Sequence, residues 1–323
     1  MPDGAGHVAV SGGTCVKRKI SNYGDSVRAR LLALARSENV QLEYLLLRYA
    51  LERFLYRLGK SEYSDRFILK GATAFAIWLG PLCRVTRDVD METCGDTSIE
   101  GLFLAFKKIC LIPCEEDAVV FDLESFSCEE IKKEDKYPGK RIRFNAFVGE
   151  ARVMLQFDIA VGDSVYPAAE RMKYPTLLDH KAPELKIYPR YTVIAEKFST
   201  MIIKGLFNSR LKDYYDIWLL SESFTFDGDI LQEAIRRTFE RRKVDLPTQL
   251  PLALTMEFCS QSSRQIQWQA FVKQSGTARL PESFIHAVEQ IWRFLSPVIT
   301  TKGFADCEWN VELKKWIPKS PRV

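Results

Sequence analysis

The apolar positions of this chain change period several times, and each change marks an element. Val27, Leu31, Leu32, Leu34 and Ala35 keep a helical rhythm from Ser26 to about Arg36, with Asp25 placed to cap it. A second helix is predicted from about Gln41 to Leu58. Its core stripe is Leu45, Leu46, Tyr49, Ala50, Phe54, Leu55 and Leu58, and Arg48, Glu52 and Arg53 face away. Residues 1–22 show no period and read as disordered. Phe67-Ile68-Leu69-Lys70-Gly71 is a short apolar run closed by glycine, the pattern of a buried strand. Ala72 to Leu79 follows as a helix, with Gly80-Pro81 as its stop. Arg84 to Arg87 then leads into a strand from Asp88 to Met91. Residues i and i+2 of a strand share a face, so Asp88 and Asp90 project together while Val89 and Met91 turn to the core.

The rest of the chain is read the same way. Ser98 to Cys110 is helical and Val119 to Leu123 is a strand. The charged run from Lys132 to Lys140, with its Pro138-Gly139, is a solvated loop. Arg141–Phe147 and Ala151–Ile159 both alternate, and Val148-Gly149-Glu150 joins them as a hairpin. Prolines at 167, 175, 183 and 189 make Tyr166 to Arg190 an irregular crossing. Thr192 then caps a helix that Gly205 ends. From about Arg210 to Glu222, Leu211, Tyr214, Tyr215, Trp218 and Leu219 fall on one arc of a helix. Arg210, Lys212, Asp213 and Asp216 fall on the opposite one, where Asp216 pairs with Lys212. Helices are predicted over Asp229–Arg242, Leu250–Ser260, Arg264–Lys273 and Glu282–Leu295, and Trp309 and Trp316 dock part of the tail. The fold class is α/β (α+β), a small mixed sheet with a helical pair before it and a helical domain after it. The domains are residues 1–22, a disordered segment; 23–190, the sheet core; 191–299, a helical domain completing the site; and 300–323, the tail.

Composition narrows the function classes. The chain has 323 residues, 46% apolar and 27% charged, enough for a packed core. No apolar run approaches the roughly 20 residues of a membrane span, and no signal-peptide core opens the chain, so it reads as cytoplasmic. Its eight cysteines are expected to be reduced. Cys110 and Cys114 are spaced like a metal pair, but no second pair completes a zinc site, and His7, His180 and His286 are scattered. These patterns argue against a zinc enzyme and a His-based triad. A net charge of +4 does not announce a nucleic-acid binder, although Arg236, Arg237, Arg241, Arg242 and Lys243 form a local basic cluster.

The carboxylates carry the candidate chemistry. Asp88 and Asp90 repel each other unless a cation sits between them, and Mg²⁺ takes one or two carboxylates plus phosphate oxygens. A glycine turn opening a helix supplies backbone N–H groups to an anion. Asp158 closes the second hairpin strand on the face it shares with Gln156, while Asp163 follows Gly162 as a loop residue. Lys197 sits among apolar neighbours, as a snorkelling side chain or a phosphate ligand.

Lys70-Gly71-Ala72-Thr73-Ala74, followed further on by Arg87-Asp88-Val89-Asp90, resembles the first motif of nucleotidyltransferases of the AbiEii/AbiGii toxin family. That family belongs to the DNA polymerase β-like superfamily. Ala195-Glu196-Lys197 and then Asn208-Ser209-Arg210-Leu211-Lys212-Asp213 resemble its later motif. The likeness runs from about Arg66 to Leu220. It implies Mg²⁺-dependent nucleotidyl transfer from an NTP, with Asp88, Asp90 and Asp158 on the metal and Lys197 and Asp213 also catalytic. Lys70, Gly71, Ala72, Thr73, Arg87, Lys197, Arg210 and Lys212 would bind the nucleotide. It further implies a toxin that modifies RNA, such as a tRNA acceptor end, with an antitoxin encoded alongside. This chain has Ala72-Thr73 where many relatives have Gly-Gly-Thr or Gly-Ser, which bears on nucleotide choice. A protein or small-molecule acceptor, or an idle member that only binds RNA or a partner, are the alternatives.

Overall fold

The computed structural model describes residues 23–80, 86–131, 139–275, 279–301, 304 and 306–319. The readings made above for residues 1–22, 81–85, 132–138 and 320–323 lie outside them. Two helices come first, α1 (Tyr23–Ser37) and α2 (Leu42–Lys60). Asp25 lies inside α1 rather than capping it. The apolar stripe of α2 is buried as expected, but so are Arg48, Glu52 and Arg53, which do not face away. The segment around 177–181 covers that side of α2 and answers its charges. Glu52 accepts the Leu177 N–H at 2.7 Å and lies 3.1 Å from Arg53, which donates to the Lys181 carbonyl at 2.9 Å. One turn on, Arg57 grips the buried Asp117 at 2.7 and 3.2 Å. Apolar periodicity marks one buried face of a helix; it is blind to a second face buried through ion pairs.

The sheet half continues with β1 (Phe67–Lys70), α3 (Gly71–Leu79), β2 (Asp88–Thr93), α4 (Ile99–Cys110) and β3 (Val119–Ile131). The hairpin strands are β4 (Gly139–Val148) and β5 (Ala151–Val161). Two short strands, β6 (Glu170–Lys173) and β7 (Glu184–Ile187), form within the segment expected to be irregular. Its prolines, at 167, 175, 183 and 189, stand outside both strands and so cost the ladder no N–H group. The result is a mixed sheet of seven strands, larger than expected, in the order β3-β4-β5-β2-β1-β7-β6. β2 runs parallel to β5 and antiparallel to β1, at the centre of the sheet. Val89 and Met91 face the core.

The second half holds α5 (Arg190–Lys204), α6 (Leu211–Ser223), β8 (Phe226–Asp227), α7 (Gly228–Arg242), α8 (Met256–Cys259), α9 (Ser262–Ser275) and α10 (Phe284–Thr300). Thr192 does not cap α5. It lies in the first turn, and its buried hydroxyl donates to the Tyr166 carbonyl at 2.7 Å while accepting the Tyr166 N–H at 3.0 Å. Leu250 to Ser260 is not one helix. Pro251 starts a 3-10 turn, Leu252–Leu254, and Thr255 caps the short α8 by accepting the Phe258 N–H. The tail pairs β9 (Cys307–Asn310) and β10 (Lys315–Pro318) with β8. Trp309 is buried and donates to the Ser221 carbonyl at 2.7 Å, and Trp316 stacks on Phe294.

Two apolar cores result. One spans α1 to β7; the other gathers the chain from Tyr188 onward and takes in Phe75 of α3. Among the described residues, no helix is long and apolar enough to cross a membrane.

Glu52 makes the first core sensitive to pH. Burial pushes its carboxyl up and outweighs Arg53, the Leu177 N–H and Arg48, leaving the pKa at about 7 against an ordinary 4.5. A carboxyl whose folded pKa exceeds its unfolded one stabilises the fold fully below the unfolded value and loses that contribution as pH rises through the folded value. Urea midpoints of the wild type should therefore fall between pH 4.5 and 7, and Glu52→Gln should flatten the fall. Parallel curves for the two proteins would remove Glu52 as the cause.

Candidate active site

The site begins where β1 passes directly into α3. Gly71 makes that step at φ 66, a conformation side chains rarely adopt. A Cβ added there would land on the Asp90 carboxylate, so Asp90 in this place requires a glycine at 71. Thr73 is buried and donates its hydroxyl to the Asp88 carbonyl at 3.1 Å, fastening α3 to β2. On β2, Asp88 and Asp90 share the open face. Asp90 stands opposite Asp158 on β5, and Asp88 opposite Gln156. Burial, then the charges of Asp158 and Asp90, push the Asp88 carboxyl above its usual range.

A cavity of about 580 Å³ opens over these strands. Its sheet-side wall includes Lys70, Gly71, Ala72, Asp88, Asp90 and Asp158. Its helical wall includes Lys197, Arg210, Lys212 and Asp213. Thr73 and Arg87 are not brought into it: Thr73 turns inward, and Arg87 is exposed just before β2.

Lys197 joins α5 to α6. Its ammonium lies 2.8 Å from Asp213 and 2.7 Å from Asp216, both buried, and Arg210 meets Asp213 at 2.7 Å. The polar arc of α6 is therefore not a solvent face. Asp213 and Asp216 point inward, and Asp216, expected to pair with Lys212, is met by Lys197. Burial alone would raise the Asp213 pKa, but Lys197 and Arg210 outweigh it and hold the pKa at about 2.

Lys70 is enclosed in the same manner. Its ammonium lies 2.6 Å from Asp163, 3.2 Å from Glu92 and 3.9 Å from Glu196. Tyr188 donates to Glu196 at 2.9 Å and sets its ring under the ammonium. Burial disfavours the charge on Lys70, but the three carboxylates outweigh it and raise its pKa. Asp163 is a loop residue, as expected, yet it is a direct partner of this lysine.

Sequence reasoning did not single out Arg141. It faces Asp158 across β4 and β5 and donates to both its oxygens at 2.7 Å. The signal was present: with Val148 opposite Ala151 at the turn, counting back along both strands sets Arg141 against Asp158. The basic cluster on α7 is largely engaged. Arg236 and Arg237 bind Glu233, Arg241 donates to the Gly162 carbonyl, and Arg242 donates to the Glu196 carbonyl at 3.0 Å. Of the cluster, Arg242 lines the cavity.

Lys197→Ala would leave Asp213 and Asp216 buried without their shared cation. Removing one partner of a buried pair costs about 3 kcal/mol or more. Chemical denaturation should show that loss, and adding Asp216→Asn should recover part of it. A variant as stable as the wild type would mean that water or Arg210 fully replaces the lysine.

The family model described as nucleotidyl transferase AbiEii toxin, type IV TA system, matches residues 53–293. Two solved structures from Helicobacter pylori are similar to this chain, one described as a candidate nucleotidyltransferase and one as JHP933. They are 15% and 16% identical to it, cover 72% of it and 98% and 95% of their own chains, and superpose with a TM-score of 0.38. No curated protein matches. The family match takes in both carboxylate strands, the glycine turn and the paired helices α5 and α6. The chain belongs to the AbiEii nucleotidyltransferase toxin family and is a nucleotidyltransferase.

Proposed function

We propose that the protein transfers a nucleotide from an Mg²⁺-bound NTP to an RNA acceptor such as a tRNA 3′ end, as the toxin of a toxin–antitoxin pair. The observation that carries the nucleotide and metal part is the Asp88, Asp90 and Asp158 face set against Lys197 and Lys212 across one cavity. Among the described residues, no group of three or more His, Cys, Asp or Glu forms a ready-made metal cage. Asp158 has both oxygens on Arg141, which leaves Asp88 and Asp90 as the open pair. Burial of Asp88, with the like charges of Asp158 and Asp90 beside it, fits a site that awaits a cation. Mg²⁺ is commonly held by one or two carboxylates together with substrate phosphates, so the pair fits a metal that arrives with its nucleotide. Asp88 and Asp90 would hold it, with Asp158 joining once Arg141 moves to phosphate. When bound, the metal would offset charge on the transferring phosphoryl group and the leaving pyrophosphate.

The remaining work falls to the chain itself. Backbone N–H groups of Gly71 and Ala72, at the start of α3, cradle phosphate oxygens. Lys197, held extended by Asp213 and Asp216, faces the triphosphate with Arg210 and Lys212. Lys70 acts on the nucleotide through the position of Gly71, since its ammonium is committed to three carboxylates. A carboxylate of the trio takes the proton of the attacking hydroxyl. The family's type IV toxin description supports a toxin role with a cognate antitoxin, and the basic lining of the cavity, Lys204, Arg210, Lys212 and Arg242, supports an RNA acceptor.

The direct test is incubation with each of the four NTPs, Mg²⁺ and bulk tRNA, with label followed onto RNA. Label on protein or a small molecule instead would sink the RNA assignment. Asp90→Ala should abolish transfer with the fold intact, and normal activity at limiting Mg²⁺ would remove Asp90 from the metal. Gly71→Ala should lower kcat/KM by about a hundredfold, the scale of a 1 Å misplacement. A variant with wild-type kinetics would mean that the turn does not set the reacting geometry.

A further inference from the structure

Between α5 and α6 a 3-10 turn, Gly205–Phe207, holds an aromatic ring out into solvent. Phe207 is 91% exposed, more than any other large apolar side chain among the described residues; Ile266 follows at 66%. A single exposed apolar residue needs no explanation by itself. This one is held in place on both sides. Gly205, at φ 48, ends α5, and the Asn208 N–H donates back to its carbonyl at 3.2 Å. The Asn208 side chain is fully buried; it donates to the Tyr214 hydroxyl at 3.2 Å and accepts the Arg210 N–H at 3.0 Å. Tyr214 in turn donates to the Ala253 carbonyl, and Arg264 donates to the Leu206 carbonyl at 2.8 Å.

The turn also stands at the rim of the reacting cavity. Ile203 and Lys204 just before it, and Arg210 and Lys212 just after it, line that cavity, while Phe207 does not. A ring carried on a hydrogen-bonded turn therefore lies outside the site, between basic residues that line it. Single-stranded nucleic acid is held by this combination, bases stacked on aromatic rings and backbone tracked by basic side chains.

We propose that Phe207 is the platform on which an unpaired base of the acceptor RNA stacks as its end enters the cavity, with Lys204 and Arg264 beside it for the backbone. The proposal rests on the reading of the acceptor as RNA. The base is the acceptor's and not the NTP's because the ring stands outside the cavity, whereas the phosphate-cradling turn at Gly71 is in the sheet-side wall.

The test compares wild type, Phe207→Ala and Phe207→Trp in transfer from labelled NTP to tRNA, with affinity for a fluorescent NTP measured separately. Phe207→Ala should raise the acceptor KM roughly tenfold, the effect of losing one stacked base. NTP affinity and the melting temperature should not change, and Phe207→Trp should restore the wild-type KM. An unchanged acceptor KM in Phe207→Ala overturns the platform. So does a matching loss of NTP affinity, which would assign the ring to the incoming nucleotide. If the wild type labels protein or a small molecule and no RNA, the acceptor reading fails first and the platform with it. If the wild type labels RNA and Phe207→Ala labels it equally well, the platform alone fails.

Discussion

Six carboxylates line one cavity, and cations from both halves of the chain meet four of them, Asp158, Asp163, Glu196 and Asp213. Two lysines carry most of this. Lys70, at the end of β1, is ringed by Glu92 from β2, Asp163 from the loop after β5 and Glu196 from α5. Lys197 on α5 holds Asp213 and Asp216 of α6. Neither arrangement is a surface ion pair of small worth. Each sits where a lone charge would be too costly, so each fixes the elements that bring its partners. Lys70 binds the two cores together, because β1 and β2 belong to the first and α5 to the second. The glycine turn beside it is positioned by the same contact.

Much of this was legible in the sequence, and the reason is local. The strand-turn-helix from Phe67 to Leu79, the paired faces of Asp88 and Asp90, and the hairpin that delivers Asp158 all follow from short-range period and turn chemistry. Partners fixed by tertiary contact were not legible. Asp213 and Asp216 look like the wet side of an amphipathic helix until α5 is placed against them. Arg48, Glu52 and Arg53 look exposed until the chain around 177–181 folds over α2. Polar periodicity shows that a face is polar; it does not show whether water or another charge completes it. Proline misled for a related reason, since spacing alone does not separate prolines that interrupt strands from prolines that bound them, as at β6 and β7.

Arg141 shows how the sheet adds a function to a carboxylate. Without Arg141, Asp158 would lose both guanidinium hydrogen bonds while standing opposite Asp90. With Arg141 across the ladder, both Asp158 oxygens are satisfied, while burial and then the charges of Asp158 and Asp90 keep the Asp88 carboxyl above its usual range. The cation proposed for this site would meet the two carboxylates that Arg141 leaves open. A guanidinium forked on a carboxylate is also suited to phosphate, so an incoming triphosphate offers Arg141 an equivalent partner.

The same reasoning explains why the helical half cannot be regarded as an accessory. Arg241 and Arg242, at the end of α7, reach back to the Gly162 carbonyl and the Glu196 carbonyl. Gly162 precedes Asp163, and Glu196 precedes Lys197, so one helix end holds the residues next to a partner of Lys70 and next to Lys197 itself. α7 packs its apolar face, Leu231, Ala234, Ile235 and Phe239, into the second core. The burial of those side chains therefore fixes the distance between Asp163 and Glu196, and with it the cage around Lys70. The turn at Gly71, next to Lys70, leaves the space that the Asp90 carboxylate fills. Sheet and helices are one mechanical unit at the point where the nucleotide is expected to bind.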